Sequence, residues 1–268
     1  MPPQRVEDLL AEWELTADPE PPTHGHRSLV VPVHTAEGRP AVLKVGLPPG
    51  GATQEHLALR HWAGHGAVEL LRADPHRAAL LLERLTVTDL NSVWDLEACE
   101  IVGELYGRLH IPATPQLRRL PELVTAATDR LRSAGSPLPR RLVEQAIALG
   151  TDLAADPASV GTLIHTDLHY ANVLAADRAP WLVIDPKPLS GDPHYELAPM
   201  LWNRWDEVSG QVRAALRRRF DTLVEVAGLD EERARAWVVV RMVHLAIAPD
   251  TAPERLTTCV AVIKAIQR

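Results

Sequence analysis

Apolar and polar positions in this 268-residue chain follow two different periods, first short and alternating, then long and helical. RSLVVPV (27–33) and PAVLKV (40–45) are strand-like runs joined by the turn HTAEGR, whose Glu-Gly pair supplies the bend. Residues 54–62 carry Glu55, Leu57, Leu59 and Trp62 at roughly helical spacing, with Gly64 and Gly66 as a stop. RAALLLERL (77–85) is a compact apolar run of strand length after the turn ADPH. From about residue 92 the period changes. SVWDLEACEIVGELYGRLH (92–110) sets Leu96, Cys99, Val102, Leu105, Tyr106 and Leu109 on one helical face at steps of three and four. Further helices are expected over 117–133, 139–154, 195–207, 211–227, 231–247 and 255–267. One β-like island, 163–185, interrupts them.

The pattern predicts an α+β chain of two lobes: a small β-rich N-lobe, residues 1–84, and a larger helical C-lobe, residues 85–268, with an embedded β-hairpin. The junction falls near ERLTVTDL (83–90). A hydrophobic fraction of 46% supports a sizeable core. A formal net charge of -7 argues against a nucleic-acid partner and favours a neutral or cationic small molecule. No apolar stretch has the length of a membrane span or signal peptide, so a cytoplasmic protein with no membrane partner is expected. Cys99 and Cys259 lie far apart in helix-like segments and are expected to be reduced core residues. Composition leaves the oligomeric state open.

The island holds the densest chemistry. LIHTDLHYANVL (163–174) places His165, Asp167, His169 and Asn172 after an apolar entry. VLA (173–175) and WLVI (181–184), separated by ADRAP, read as a hairpin, and antiparallel pairing would bring Asn172 and Asp185 to its open end. An amide oxygen and a carboxylate there suit Mg²⁺, a hard cation that prefers oxygen. The spacing His-x-Asp-x-x-x-x-Asn, followed by a hairpin and an Asp, is that of the catalytic loop and metal segment of protein-kinase-like phosphotransferases. His165 on its own also fits a packed core histidine. Zinc held by His165, Asp167 and His169 in a hydrolase is the competing reading, as is a non-catalytic nucleotide-binding regulator.

Phosphotransfer chemistry requires a strand lysine to grip ATP phosphates and a helix glutamate to orient it. Lys44 lies in the alternating strand and Glu55 on the following helix. A strand lysine is often only a solvated edge residue. Here lysine is scarce, present only at Lys44, Lys187 and Lys264 among 28 basic residues, so its retention at this place is informative. Gly25 and Ser28 could cover the phosphates, or could form an ordinary turn. Glu83 and Leu85, at the end of the third strand, are positioned for backbone contacts to adenine.

The stretches AVLKV, QEHLALRHWAGHGAVELLRAD with RAALLLERL, LIHTDLHYANVL and WLVIDPKPLSGDPHYELAPMLWNR together resemble the aminoglycoside phosphotransferase family, in its branch of streptomycin 6-kinases and hydroxyurea phosphotransferases. The resemblance covers most of residues 25 to 205. It implies the bilobal protein-kinase-like fold, with a nucleotide-binding N-terminal lobe and a C-terminal lobe carrying the catalytic loop and acceptor site. It implies ATP- and magnesium-dependent phosphorylation of a small-molecule hydroxyl, foremost of an aminoglycoside antibiotic such as streptomycin, with hydroxyurea or a sugar or amino sugar as the alternative acceptor. Residue by residue, it implies Lys44 and Glu55 as the phosphate-gripping pair, Asp167 as the base, and Asn172 and Asp185 as magnesium ligands.

The family often has Asp where this chain has Glu196, a departure that bears on packing under the catalytic loop. Pro186 and Pro188 stiffen the metal segment. Lys187 contacts a phosphate, neutralises a nearby carboxylate, or is a surface lysine. The resemblance also places LWNRWDEV (201–208) near the acceptor. Trp202, Trp205, Asp206 and Glu207 would offer indole faces and carboxylates to a cationic sugar, or else be partly core and partly solvated.

Overall fold

The computed structural model describes residues 3–25, 28–47, 54–133, 137–208, 210–248 and 252–267. Contacts group the chain into two units, one of Met1–Val87 with Leu174–Lys187 and one of Thr88–Val173 with Pro188–Arg268. The first is built on a sheet and the second on helices, the α+β division that the patterning anticipates.

The first unit contains α1 (Pro3–Glu12), β1 (Thr16–Ala17), β2 (Thr23–His24), β3 (Ser28–His34), β4 (Pro40–Gly46), α2 (Glu55–Trp62), β5 (Leu70–Asp74) and β6 (Ala79–Glu83). Its antiparallel sheet runs β1-β3-β4-β6-β5, with β2 also on β3. Strand alternation turns Ala41, Leu43 and Val45 of β4 into a core shared with Val31, Val33, Leu81 and, from α1 and its end, Leu9 and Trp13. The same alternation sends Lys44, paired between Val30 and Leu80, to the other face. The patterning identifies neither α1 nor β5. In β5 the register shifts between Leu70 and Arg72, which breaks the alternation a sequence reading depends on. Arg27, expected to begin a strand, and residues 48–53 before α2 lie outside the described residues.

The helix α2 stops one residue before the expected glycines, with Ala63 left-handed at φ 49° and its N–H on Leu59 O. The hairpin forms as β8 (Val173–Ala175) and β9 (Trp181–Val183). Val183 N–H donates to Gly66 O at 3.0 Å and its carbonyl accepts from Val68 at 2.9 Å.

The second unit contains α3 (Asp95–Leu109), α4 (Leu120–Ser133), α5 (Arg140–Ala155), β7 (Thr162–Ile164), β10 (Leu189–Gly191), α6 (Ala198–Trp202), α7 (Val212–Ala227), α8 (Glu231–Ala246) and α9 (Pro253–Ile266). The expected face of α3 is buried at Cys99, Val102, Leu105, Tyr106 and Leu109. Both cysteines are free and buried. The α7 helix ends at Gly228, whose φ of 63° is the left-handed stop that glycine takes without strain. Asp230 caps α8, accepting from Arg233 N–H at 2.7 Å. No helix among the described residues is long and apolar enough to cross a membrane.

The expected helix 195–207 is corrected by the structure. It divides into a 3₁₀ turn Pro193–Leu197, the short α6, and a second 3₁₀ turn Trp205–Val208. The break lies at Arg204, held at φ 50°. Its guanidinium, drawn to Val93 O at 2.9 Å and Leu90 O at 3.3 Å, replaces the helical continuation.

Two short strands, β7 and β10, pair antiparallel and anchor the loop that leaves each of them. A Cβ on Gly191 would press on the Ile164 side chain and sit 3.1 Å from Leu120 Cβ, so a larger residue would force these neighbours to shift. Just beyond it, the carboxylate of Asp192 accepts from His194 N–H at 3.0 Å, from Trp237 Nε1 at 2.7 Å and from Arg233 Nε at 2.6 Å. Arg233 also reaches Asp156 and Ser159, tying the start of this turn to α8 and the end of α5.

Burial opposes ionisation of Asp192, but its donors His194 and Trp237 outweigh that and hold its pKa below the ordinary 3.8. A depressed carboxylate pKa contributes stability above its unfolded value that is lost as pH falls through the folded one. Asp192→Ala is expected to lower unfolding stability by about 3 kcal/mol at neutral pH. The difference from wild type should narrow below about pH 4, as measured by denaturant unfolding across pH 3 to 7.

Candidate active site

Strand β4 and helix α2 bring Lys44 and Glu55 together. Lys44 Nζ donates to Glu55 Oε1 at 2.7 Å and Oε2 at 2.8 Å, and to Asp185 Oδ1 at 2.5 Å. Burial works against the ammonium, yet the two carboxylates hold the Lys44 pKa above its ordinary value. Asp185 closes the segment after β9, and its φ of 54° is a left-handed conformation that aspartate tolerates better than most non-glycine residues. Lys187 Nζ lies 2.7 Å from Asp185 Oδ2, so one carboxylate stands between two ammonium groups. Burial raises its pKa, but Lys44 and Lys187 prevail and hold it low. Of the three readings of Lys187, the structure displays the carboxylate contact.

Arg178, in the hairpin turn, was invisible in the sequence because arginine is the common basic residue here. Its Nε lies 2.9 and 3.0 Å from the two Glu83 carboxylate oxygens, and its terminal nitrogens donate to Gly64 O and Ala67 O, each at 2.7 Å. The hairpin, the end of β6 and the loop after α2 are thereby joined. Glu83 is thus a buried structural partner through its side chain, and its N–H is committed to Glu69 O at 3.0 Å. A contact from Glu83 to adenine has to come from its carbonyl. Leu85 is half-buried. Gly25 N–H donates to Ser28 O at 2.8 Å, and a Cβ on Gly25 would sit 2.8 Å from Ser28 Oγ, so the two residues lie in close contact.

In the second unit, β7 delivers His165, Thr166 and Asp167. The Glu196 carboxylate is fully buried and accepts His165 N–H at 2.9 Å on Oε2 and Thr166 N–H at 2.5 Å on Oε1. His110 Nε2 lies 3.6 Å from Oε2. Burial penalises this carboxylate, but His110, His165 and the backbone donor hold its pKa down. Glutamate therefore spans the distance to both amides, and the place where the family often has aspartate keeps a carboxylate under the loop.

Asp167 N–H donates to His165 Nδ1 at 3.2 Å, which gives the fully buried His165 ring a partner inside the loop. This engagement works against His165 as a zinc ligand, and among the described residues no group of three His, Cys, Asp or Glu side chains is arranged to hold a metal. Asn172 Nδ2 donates to Asp167 O at 2.8 Å, leaving the amide oxygen as its acceptor atom. The intervening Tyr170 donates to Asp95 Oδ1 at 2.6 Å, and Asp95 Oδ2 accepts from the buried Arg219 at 2.8 Å. The carboxylate of Asp167 takes part in no ion pair among the described residues.

The four residues expected near the acceptor are spread over two turns. Trp202 ends α6, half-buried, with the Arg241 guanidinium 5.1 Å from its ring centroid. Trp205 is half-buried, and Asp206 and Glu207 are exposed. Glu207 is already paired with Arg204, from Nε at 2.7 Å and Nη2 at 2.5 Å.

The chain as a whole is similar to known phosphotransferases. Residues 12–251 match the family model described as aminoglycoside/hydroxyurea antibiotic resistance kinase. The chain is 42% identical over 254 residues to streptomycin 6-kinase of Streptomyces glaucescens, covering 91% of this chain and 82% of that protein. It is 41% identical to hydroxyurea phosphotransferase of Kitasatospora aureofaciens, covering 90% and 71%. Among solved structures, a thermostable mutant of aminoglycoside phosphotransferase APH(4)-Ia, in complex with ADP and hygromycin B, shares the fold at TM-score 0.63 and 19% identity, over 97% of both chains. This chain belongs to the aminoglycoside/hydroxyurea antibiotic resistance kinase family and is an ATP-using phosphotransferase.

Proposed function

We propose that this kinase acts in the cytoplasm, moving the γ-phosphoryl group of ATP onto a hydroxyl of a cationic aminoglycoside, with streptomycin as the leading acceptor. The observation that carries the chemistry is the half-buried Lys44 ammonium held by Glu55 and Asp185. It is a point charge set to meet phosphate oxygens. The choice of acceptor is supported by the 42% identity to streptomycin 6-kinase. Hydroxyurea is the second reading, supported by the 41% identical relative.

Asp167 would orient the acceptor hydroxyl and take its proton as the hydroxyl oxygen bonds to the γ-phosphorus. The bond from that phosphorus to the β,γ-bridging oxygen breaks, and ADP leaves. Asn172 and Asp185 offer an amide oxygen and an ionised carboxylate, donors that fit Mg²⁺. When bound, the ion supplies positive charge against the phosphate oxygens. Backbone groups of Glu83 and Leu85 would receive adenine, and Gly25 and Ser28 would lie over the phosphates. For the acceptor, Trp202, Trp205 and Asp206 would supply indole faces and a carboxylate that takes part in no ion pair among the described residues, whereas Glu207 would contribute through Arg204, with which it is paired.

With ATP and Mg²⁺ and a panel of streptomycin, other aminoglycosides, hydroxyurea and amino sugars, mass spectrometry should find one phosphate added to streptomycin. Transfer to hydroxyurea alone would replace that reading with the second. Asp167→Asn is expected to lower kcat by about 10²- to 10⁴-fold with little change in ATP affinity; near-normal turnover would reject Asp167 as the base. Lys187→Ala removes a cation that competes for Asp185, so the Mg²⁺ concentration for half-maximal activity should fall. A raised KM for ATP with unchanged Mg²⁺ dependence would instead make Lys187 a phosphate contact.

A further inference from the structure

The base is preceded by Thr166, a β-branched residue at φ 63°. A β-branched residue rarely takes such a conformation, which persists only where the surroundings impose it. Two groups do so from opposite sides of the residue. Glu196 accepts the Thr166 N–H at 2.5 Å, and Arg241, in the middle of α8, donates through Nη2 to the Thr166 carbonyl. That carbonyl belongs to the peptide whose N–H is that of Asp167, so turning it would turn the backbone from which the Asp167 side chain projects.

Arg241 is itself fixed in place. Its other terminal nitrogen donates to Tyr195 O at 2.8 Å. The guanidinium lies 4.3 Å from the Tyr195 ring centroid and 5.1 Å from that of Trp202. A planar fork with two donating ends and aromatic faces beside it performs a task that a lysine ammonium cannot reproduce, because the ammonium is a compact point charge without a stacking plane. One residue thereby connects the peptide before the base to the turn carrying Glu196 and to an indole expected at the acceptor.

The geometry points to Arg241 as a positioning residue for phosphoryl transfer, acting through the Thr166 carbonyl to hold the Asp167 carboxylate where the acceptor hydroxyl must meet it. This rests on the reading of Asp167 as the base. Because Arg241 acts through Asp167, its removal should matter only while Asp167 is present.

The test is a double-mutant cycle of wild type, Arg241→Met, Asp167→Asn and the double variant, with ATP turnover measured with streptomycin or with water as acceptor. Arg241→Met is expected to lower kcat by up to about 100-fold, with the KM for ATP nearly unchanged. Arg241→Lys should fail to restore it. In the Asp167→Asn background, Arg241→Met should cost less than about 2-fold more, the non-additivity of residues that act as one unit. Equal losses in both backgrounds would overturn the proposal and leave Arg241 a general packing residue. Full activity of Arg241→Lys would overturn it too. Equal turnover of wild type and Asp167→Asn would overturn the assignment of the base, and this proposal with it. Thermal unfolding of each variant separates misfolding from mispositioning; should Arg241→Met unfold, Arg241→Lys carries the same cycle.

Discussion

The buried carboxylate of Glu196 is the constraint on which the second unit is organised. A charge removed from water must be met by donors, or its burial is strongly unfavourable. Here two consecutive backbone amides, His165 and Thr166, meet it, with His110 3.6 Å away. Satisfying the carboxylate is the same event as bending the chain between β7 and Asp167. The bend is not one the local sequence favours, because threonine resists a positive φ. Strain at the loop and burial of the acid therefore balance one another, and neither persists without the other.

An equivalent logic operates in the first unit, where the charges are arranged in a chain. Glu55, Lys44, Asp185 and Lys187 alternate in sign, each ammonium shared with at least one carboxylate. Burial pushes the Lys44 pKa down and the Asp185 pKa up, but their mutual contact reverses both shifts and favours the charged forms. The proposed function draws on this, because an ammonium attracts phosphate oxygens as a neutral amine does not, and an ionised carboxylate binds a divalent cation as a neutral acid does not. The same pairing explains why lysine is kept at Lys44 in a chain that otherwise uses arginine: a compact ammonium fits between two carboxylates, where a planar fork would need more room.

Much of this was legible in the sequence, in those parts where local rules apply. Alternation in PAVLKV directs Lys44 away from the apolar face shared by Ala41, Leu43 and Val45. The apolar face of α3 appears in a period of three and four, and Asp167 and Asn172 stand at fixed offsets on one short loop, where the Asn172 side-chain amide donates to the Asp167 carbonyl. What local rules missed has physical reasons. The bulge in β5 removes the alternation that would reveal it, and the helix expected over 195–207 is broken because Arg204 finds carbonyl partners more than a hundred residues earlier. Arg178 and Arg241 carry no signal in a chain where nearly every basic residue is arginine.

By itself, the sequence determined the class of fold and the kind of chemistry: the change of hydrophobic period, the scarce lysine and the Asp-to-Asn spacing are local properties that need no partner. Only the tertiary structure decided which groups hold those residues in place. A hydrogen bond from α8 to the carbonyl of Thr166, or from the hairpin turn to Glu83, joins positions 75 or 95 residues apart. No local pattern records such pairs, because their energy arises from burial, and burial exists only once the chain has folded.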